Sequence, residues 1–114
     1  MSDCIFCKII NGDIPSTKVY EDDKVVVIED INPCAKIHLI AISKVHIRNF
    51  NELTEGNSSV MVDIVNAVQK TVDKIGIKEK GYRIINNCGK DAGQTVDHIH
   101  FHIIGGQSLS EKLI

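Results

Sequence analysis

Residues 97–104 read Asp-His-Ile-His-Phe-His-Ile-Ile and set three of the chain's five histidines two positions apart. Histidine is one of the few side chains that binds metals, moves protons and attacks electrophiles near neutral pH, so three in register point to chemistry. Strict alternation is the signature of a β-strand, which would put His98, His100 and His102 on one face and Ile99, Phe101 and Ile103 into a core. Side chains two apart on a strand stand roughly 6–7 Å from each other, close enough to share a ligand or a hydrogen-bond network.

A second reactive pattern opens the chain. Cys4-Ile5-Phe6-Cys7 has the Cys-x-x-Cys spacing that lets two thiolates bind one tetrahedral Zn²⁺. No second such pair follows, so the remaining ligands would be histidines, with His46 and His98 the candidates. A redox dithiol and a pair of inert thiols are the rival readings; redox motifs normally follow a first strand, and this pair precedes every strand. Cys34 and Cys88 are single and read as packing residues. With His98 given to a metal, His100 and His102 remain for other work, and a neutral imidazole is a competent nucleophile toward phosphorus. The run Gly89-Lys90-Asp91-Ala92-Gly93-Gln94-Thr95 then matters, because small residues let backbone approach a ligand while Gln94 and Thr95 bring donors beside the histidines.

These groups need elements to hold them. Residues 4–10 have apolar groups at helical spacing and end at Asn11-Gly12, a short helix stopped by glycine. Residues 17–29 form a hairpin about Asp22-Asp23, with a β-branched second arm at Val25-Val26-Val27-Ile28. Asp30 to Lys36 is a loop, and residues 38–42 are a strand apolar nearly throughout, which places it centrally in the sheet. A helical turn falls near Asn51–Leu53. From Asn57 to Gly76, Val60, Met61, Ile64, Val65, Val68, Val72 and Ile75 follow the helical repeat, with Asn57 or Ser58 as cap and Gly76 as stop. Tyr82–Asn87 and the histidine segment are the last two strands. The expected fold is α+β: a mainly antiparallel sheet, one long helix on one face and one short helix.

At 114 residues the chain reads as one domain, 1–114. Its 43% apolar and 25% charged residues and net charge of −2 describe a globular protein with no long-range pull toward a nucleic-acid polymer. An anionic ligand must therefore be held locally. No apolar stretch is long enough to span a membrane and the start lacks the pattern of a secretion signal, so a cytoplasmic protein is expected, in which cysteines favour metal over disulfides.

Gly93-Gln94-Thr95-Val96-Asp97-His98-Ile99-His100-Phe101-His102-Ile103-Ile104-Gly105-Gly106 resembles the signature of the histidine triad nucleotide-binding proteins, His-φ-His-φ-His-φ-φ with φ apolar. Cys4–Ile10, Ile14-Pro15, Asp30-Ile31-Asn32-Pro33 with His38-Leu39, Lys44 with His46-Ile47, and Gly81-Tyr82-Arg83 with Asn87 fall in family order, and the run into Gly105-Gly106 is most similar to the Hint branch of purine nucleoside phosphoramidases. The resemblance implies a homodimer with a sheet continuous across the pair, and hydrolysis or transfer at the α-phosphate of purine nucleoside monophosphate derivatives. It implies that His100 is the nucleophile that becomes nucleotidylated, that His102 contacts the phosphate and aids proton transfer, and that His38 completes the histidine cluster. Asp30 would hold the ribose, Phe6, Ile9 and Ile28 the base, and Asn87, Gln94 and Thr95 the phosphate or leaving group. Cys4, Cys7, His46 and His98 would bind one structural Zn²⁺ per protomer. Dinucleoside polyphosphate hydrolysis, or nucleotide binding with residual catalysis, are the alternative activities. The chain departs from the family with Cys34 where Gln is frequent, Lys36 and Ser43 where Pro is frequent, and Thr95 where the Hint branch has Ser. Its ending, Gln107 to Ile114, lacks the aromatic and proline residues many Hint proteins carry there.

Overall fold

The computed structural model describes residues 3–112, so the outermost positions of the expected 1–114 domain, residues 1–2 and 113–114, lie outside the described residues. In order come α1 (Ile5–Ile10), β1 (Lys18–Glu21), β2 (Val25–Glu29), β3 (Ile37–Ser43), a 3₁₀ turn (Phe50–Glu52), α2 (Ser59–Ile75), β4 (Arg83–Ile85), a second 3₁₀ turn (Lys90–Ala92) and β5 (His100–Gly105). The strands form one antiparallel sheet in the order β1-β2-β3-β5-β4, with the apolar strand β3 at its centre, as its composition predicts.

Period-two alternation divides the sheet into two working faces. Val25, Val27, Leu39, Ala41, Phe101 and Ile103 point to one side, where Val60, Ile64, Ala67, Val68 and Val72 of α2 cover them. Val26, Ile28, Ile40 and Ile42 point to the other, where they meet Phe6 and Ile9 of α1. A six-residue helix is far too short to persist alone. Burial of Phe6 and Ile9, on the order of 2 kcal/mol each, holds it on the sheet.

Local chemistry sets the boundaries. Asp22 Oδ1 accepts from the amides of Lys24 and Val25 at 2.7 and 2.8 Å, closing the hairpin turn. Gly76 ends α2 in the left-handed region, φ 81°, with its N–H on the Val72 carbonyl. At the start of α2 the expected capping residues act differently: the Ser58 side chain makes no cap bond, while Asn57 Oδ1 accepts from Thr54 N at 2.7 Å and shapes the preceding turn.

Most boundaries shift by a residue or so, and two strands are clearly shorter than the sequence reading predicts. β4 is three residues long instead of six, because Asn86 leaves the ladder to donate from Nδ2 to the His100 carbonyl at 2.9 Å. β5 begins at His100, so His98 sits in the bend before the strand. The alternation of faces nonetheless extends through His98, since Ile99 N donates to the Ile47 carbonyl at 2.6 Å and keeps Ile99 in the core on the α2 side.

Candidate functional site

The face carrying α1 places all five histidines along the central strands and the loops that enter them. Ile42 of β3 pairs with His100, Ile40 with His102, and His38 with Ile104, so His38, His100 and His102 share that face. Phe6 packs its ring edge-on at 4.9 Å from the His100 ring and 5.9 Å from that of His98. A short helix thus roofs the first two positions and leaves the third toward solvent. His98 is fully buried, His100 is buried and His102 is half-buried.

Three of the rings are held by different backbone partners, and the partner fixes which nitrogen carries the proton. For His98, Nε2 donates to the Ser43 carbonyl at 2.7 Å, so its Nδ1 presents a lone pair. For His100 the arrangement is reversed: Nδ1 donates to the His98 carbonyl at 2.7 Å and Nε2 carries the lone pair. His38 accepts from the Cys34 amide at Nδ1, 3.1 Å, so its proton is on Nε2, which lies 2.9 Å from Nδ1 of His102 and 3.3 Å from Oδ2 of Asp30. His102 therefore accepts at Nδ1 and presents an N–H at Nε2.

Burial makes all three rings of the His98-His100-His102 series harder to protonate. His98 is pushed down to about 4, chiefly by burial and further by His46 and His100, against the raising effect of the hydrogen bond it donates to the Ser43 carbonyl. His100 is lowered by burial and His102 by burial and the neighbouring His100 and His38, with the Asp30 charge opposing in both. A neutral imidazole is the form needed both to ligate a metal and to attack phosphorus.

The bare Nδ1 of His98 looks at the N-terminal knuckle. Cys4 Sγ is 3.4 Å away, Cys7 Sγ 3.6 Å and His46 Nδ1 3.1 Å, with Cys7 Sγ 3.2 Å from His46 Nδ1. All four donor atoms lie within 4.8 Å of one another. A tetrahedral ion bonded to N at about 2.0–2.1 Å and S at about 2.3 Å has ligand-to-ligand edges of roughly 3.3–3.8 Å, so the donor set fits one metal ion with little adjustment. The carbonyl of Ser43 behind His98 accepts from the far ring nitrogen and orients the ring, as the hydrogen-bond partners of metal-bound histidines do. Asp30, His38 and His102 also converge within 4.8 Å, but there the Cys34 amide occupies Nδ1 of His38 and keeps a proton on the nitrogen that faces the other two. That group is a hydrogen-bond chain.

A cleft of about 520 Å³, within the size range of small-molecule sites, is lined by Phe6, Ile9, Ile28, Ile40 and Asp30, and it adjoins the histidines through Phe6, which packs on His100, and Asp30, which lies against His38. The residues expected around a base and a ribose therefore share one wall. The expected phosphate loop is arranged less simply. Gln94 Oε1 accepts from Gly89 N at 2.8 Å, and its Nε2 donates to the carbonyls of Arg48 and Val96 at 2.9 Å, so its amide is engaged in holding the loop. Thr95 is exposed and lines a groove with Cys4, His46 and Val96 on the knuckle side. Asn87 is half-buried just beyond β4, next to the Asn86 that binds the His100 carbonyl. Ser43, Asn86 and the Cys34 amide escape sequence reasoning because they act on or through backbone atoms, which no residue-type pattern encodes.

A family model described as "Scavenger mRNA decapping enzyme C-term binding" matches residues 3–113. An uncharacterized HIT-like protein of Helicobacter pylori is 44% identical over 102 residues, covering 90% of this chain and 95% of that protein. The purine nucleoside phosphoramidase of Escherichia coli K12 is 38% identical over 109 residues, 96% of this chain and 92% of the enzyme. Among solved structures, a HIT family hydrolase from Clostridium thermocellum is 47% identical and superposes with a TM-score of 0.96, covering 100% of this chain and 99% of that one.

Proposed function

The chain belongs to the histidine triad (HIT) family of hydrolases, and on that premise we propose that it cleaves phosphoramidates and related derivatives of purine nucleoside monophosphates through a covalent intermediate on His100. The observation that carries this reading is the hydrogen bond of His100: with Nδ1–H tied to the His98 carbonyl, the lone pair of the neutral ring is on Nε2, and burial makes that ring harder to protonate. In the first step Nε2 bonds to the α-phosphorus while the bond to the amine or other leaving group breaks, its electron pair departing with the leaving group. In the second, water displaces His100 and releases the nucleoside monophosphate. His102 hydrogen-bonds the phosphate from Nε2 and aids proton transfer, and His38 supports it from behind. Phe6, Ile9 and Ile28 hold the base, Asp30 the ribose, and Asn87 approaches the phosphate end, while Gln94 holds the loop that leads to Thr95, whose side chain would have to turn from the knuckle groove to reach a leaving group.

Cys4, Cys7, His46 and His98 would hold one Zn²⁺, whose contribution is structural: it would join α1 to the chain entering β5 and so fix Phe6 over His100. A second copy of the chain is proposed against β4 and α2. β4 is an edge strand with Ile84 42% exposed, and the adjacent helix face leaves Val62 61% and Val65 48% exposed, a surface that invites strand pairing. Light scattering should then give twice the protomer mass.

Replacing His100 by Ala tests the reaction. Turnover of a fluorogenic AMP amidate should vanish while AMP still binds, and near-native turnover in that variant would refute the covalent route. Equal or faster cleavage of a dinucleoside polyphosphate than of the amidate would move the activity to the alternative branch.

A further inference from the structure

We infer that the backbone amide of Cys34 is a positioning group for the reaction: by donating to Nδ1 of His38 it sets, through that ring, the tautomer in which His102 presents its N–H to the phosphate. The inference rests on the reaction proposed above and adds to it a residue whose side chain plays no part.

The logic is that of a chain of directed hydrogen bonds. A neutral imidazole has one donor and one acceptor nitrogen, so a donor placed against one of them dictates the other. The amide N–H of Cys34 cannot accept, and it lies 3.1 Å from His38 Nδ1. His38 must then carry its proton on Nε2. That nitrogen faces Nδ1 of His102 at 2.9 Å and Oδ2 of Asp30 at 3.3 Å, and both are acceptors toward it. With Nδ1 of His102 accepting, the single proton of that ring is on Nε2, the side away from His38. Were His38 in its other tautomer, its Nε2 lone pair would face a carboxylate, and it would turn His102 around to present a lone pair to an anionic phosphate.

The loop that supplies the amide is itself tied down. Asp30 N donates to the His38 carbonyl at 3.0 Å, Asn32 N to Asp30 Oδ1 at 2.8 Å, and Lys36 N to Gln107 Oε1 at 2.7 Å. Three bonds over seven residues hold the turn, so the Cys34 amide is aimed before any substrate arrives, the condition under which a donor costs no reorganisation during reaction. The His38 side chain, 8% exposed, has little room to choose another partner.

The test uses the metal-loaded, full-length protein labelled with ¹⁵N. Long-range ¹⁵N–¹H correlation of the imidazoles should show N–H at Nε2 of both His38 and His102, and a scalar coupling across the hydrogen bond should link the Cys34 amide nitrogen to His38 Nδ1. Cys34→Pro removes the N–H, and Cys34→Ala keeps it. In the proline variant the His38 and His102 signals should move toward a tautomer average, and kcat for an AMP amidate should fall about ten- to a hundredfold while KM changes little; a wrong tautomer at a catalytic histidine can cost up to about 10⁴ in kcat. The alanine variant should keep the wild-type imidazole spectrum. Wild-type protein with N–H at Nδ1 of His102, or a proline variant with unchanged tautomers, would overturn the inference. The coupling in the wild type decides it even if the proline variant does not fold. Correct tautomers in a protein that turns over no amidate would instead refute the reaction and leave the lock standing.

Discussion

Two pairs of histidines in this molecule face each other at nearly the same distance and do opposite things. His46 and His98 bring Nδ1 to Nδ1 at 3.1 Å, and His38 and His102 bring Nε2 to Nδ1 at 2.9 Å. Behind the first pair stands a carbonyl, that of Ser43, which takes the proton of His98 to the rear and leaves a lone pair among a nitrogen and two sulfurs. Such a convergence of nitrogen and sulfur ligands fits a cation. Behind the second pair stands an amide, that of Cys34, which drives the proton of His38 forward into the gap and makes a hydrogen bond of it. One backbone atom, acceptor or donor, separates a donor set that fits a metal ion from a proton-bearing pair.

The difference can be broken first at the knuckle, where the largest effect is expected. Cys4→Ser should reduce bound zinc from one per chain to near none and destabilise the fold by several kcal/mol, on the order of 3 or more, because a structural metal's binding energy is folding energy. Metal analysis with a denaturant curve reads both, and full occupancy in the variant would remove Cys4 from the site. At the other pair, His102→Ala should leave metal content unchanged and lower kcat about 10²- to 10³-fold, the usual cost of a lost donor to a developing charge. A variant that instead loses its zinc would mean that the two pairs are not separate devices.

The smallest effect is in pH. His102 is held below its ordinary 6.5 by burial first and then by His100 and His38, so the unfolded chain binds its proton more readily than the folded one. This ring makes no pH-dependent contribution above pH 6.5, and stability is lost as pH falls from 6.5 through the folded value, by at most about 1.4 kcal/mol for each unit between the two. Denaturation curves of wild type and His102→Gln between pH 7.5 and about 5 should therefore converge on acidification. Parallel curves would show that this ring is as easily protonated folded as unfolded.

How much of this was legible beforehand follows from the same contrast. The alternation over 98–103 placed the histidines on one face because the pleat allows no other reading, and β-branched runs and terminal glycines located β2, β3 and α2. The Cys-x-x-Cys spacing with the isolated His46 and the first of the alternating histidines, His98, leads to the same four donors that converge in three dimensions. Residue types could not say that Val62 and Val65 of α2 are exposed while Thr71 is buried with its hydroxyl on the Ala67 carbonyl, since the helix turns one apolar flank away from the sheet. Nor could they foresee that Gln94 spends its amide within the loop or that Asn86 holds the His100 carbonyl. Those outcomes depend on where main-chain groups end up needing partners.

Whether His100 becomes bonded to phosphorus is read by quenching the enzyme during turnover of an α-³²P-labelled AMP amidate and mapping the label. An acid-labile nucleotidyl group is expected on the peptide containing residues 97–104, absent in His100→Ala. Steady turnover with no label on that peptide, or with label on His102 in its place, would contradict that expectation.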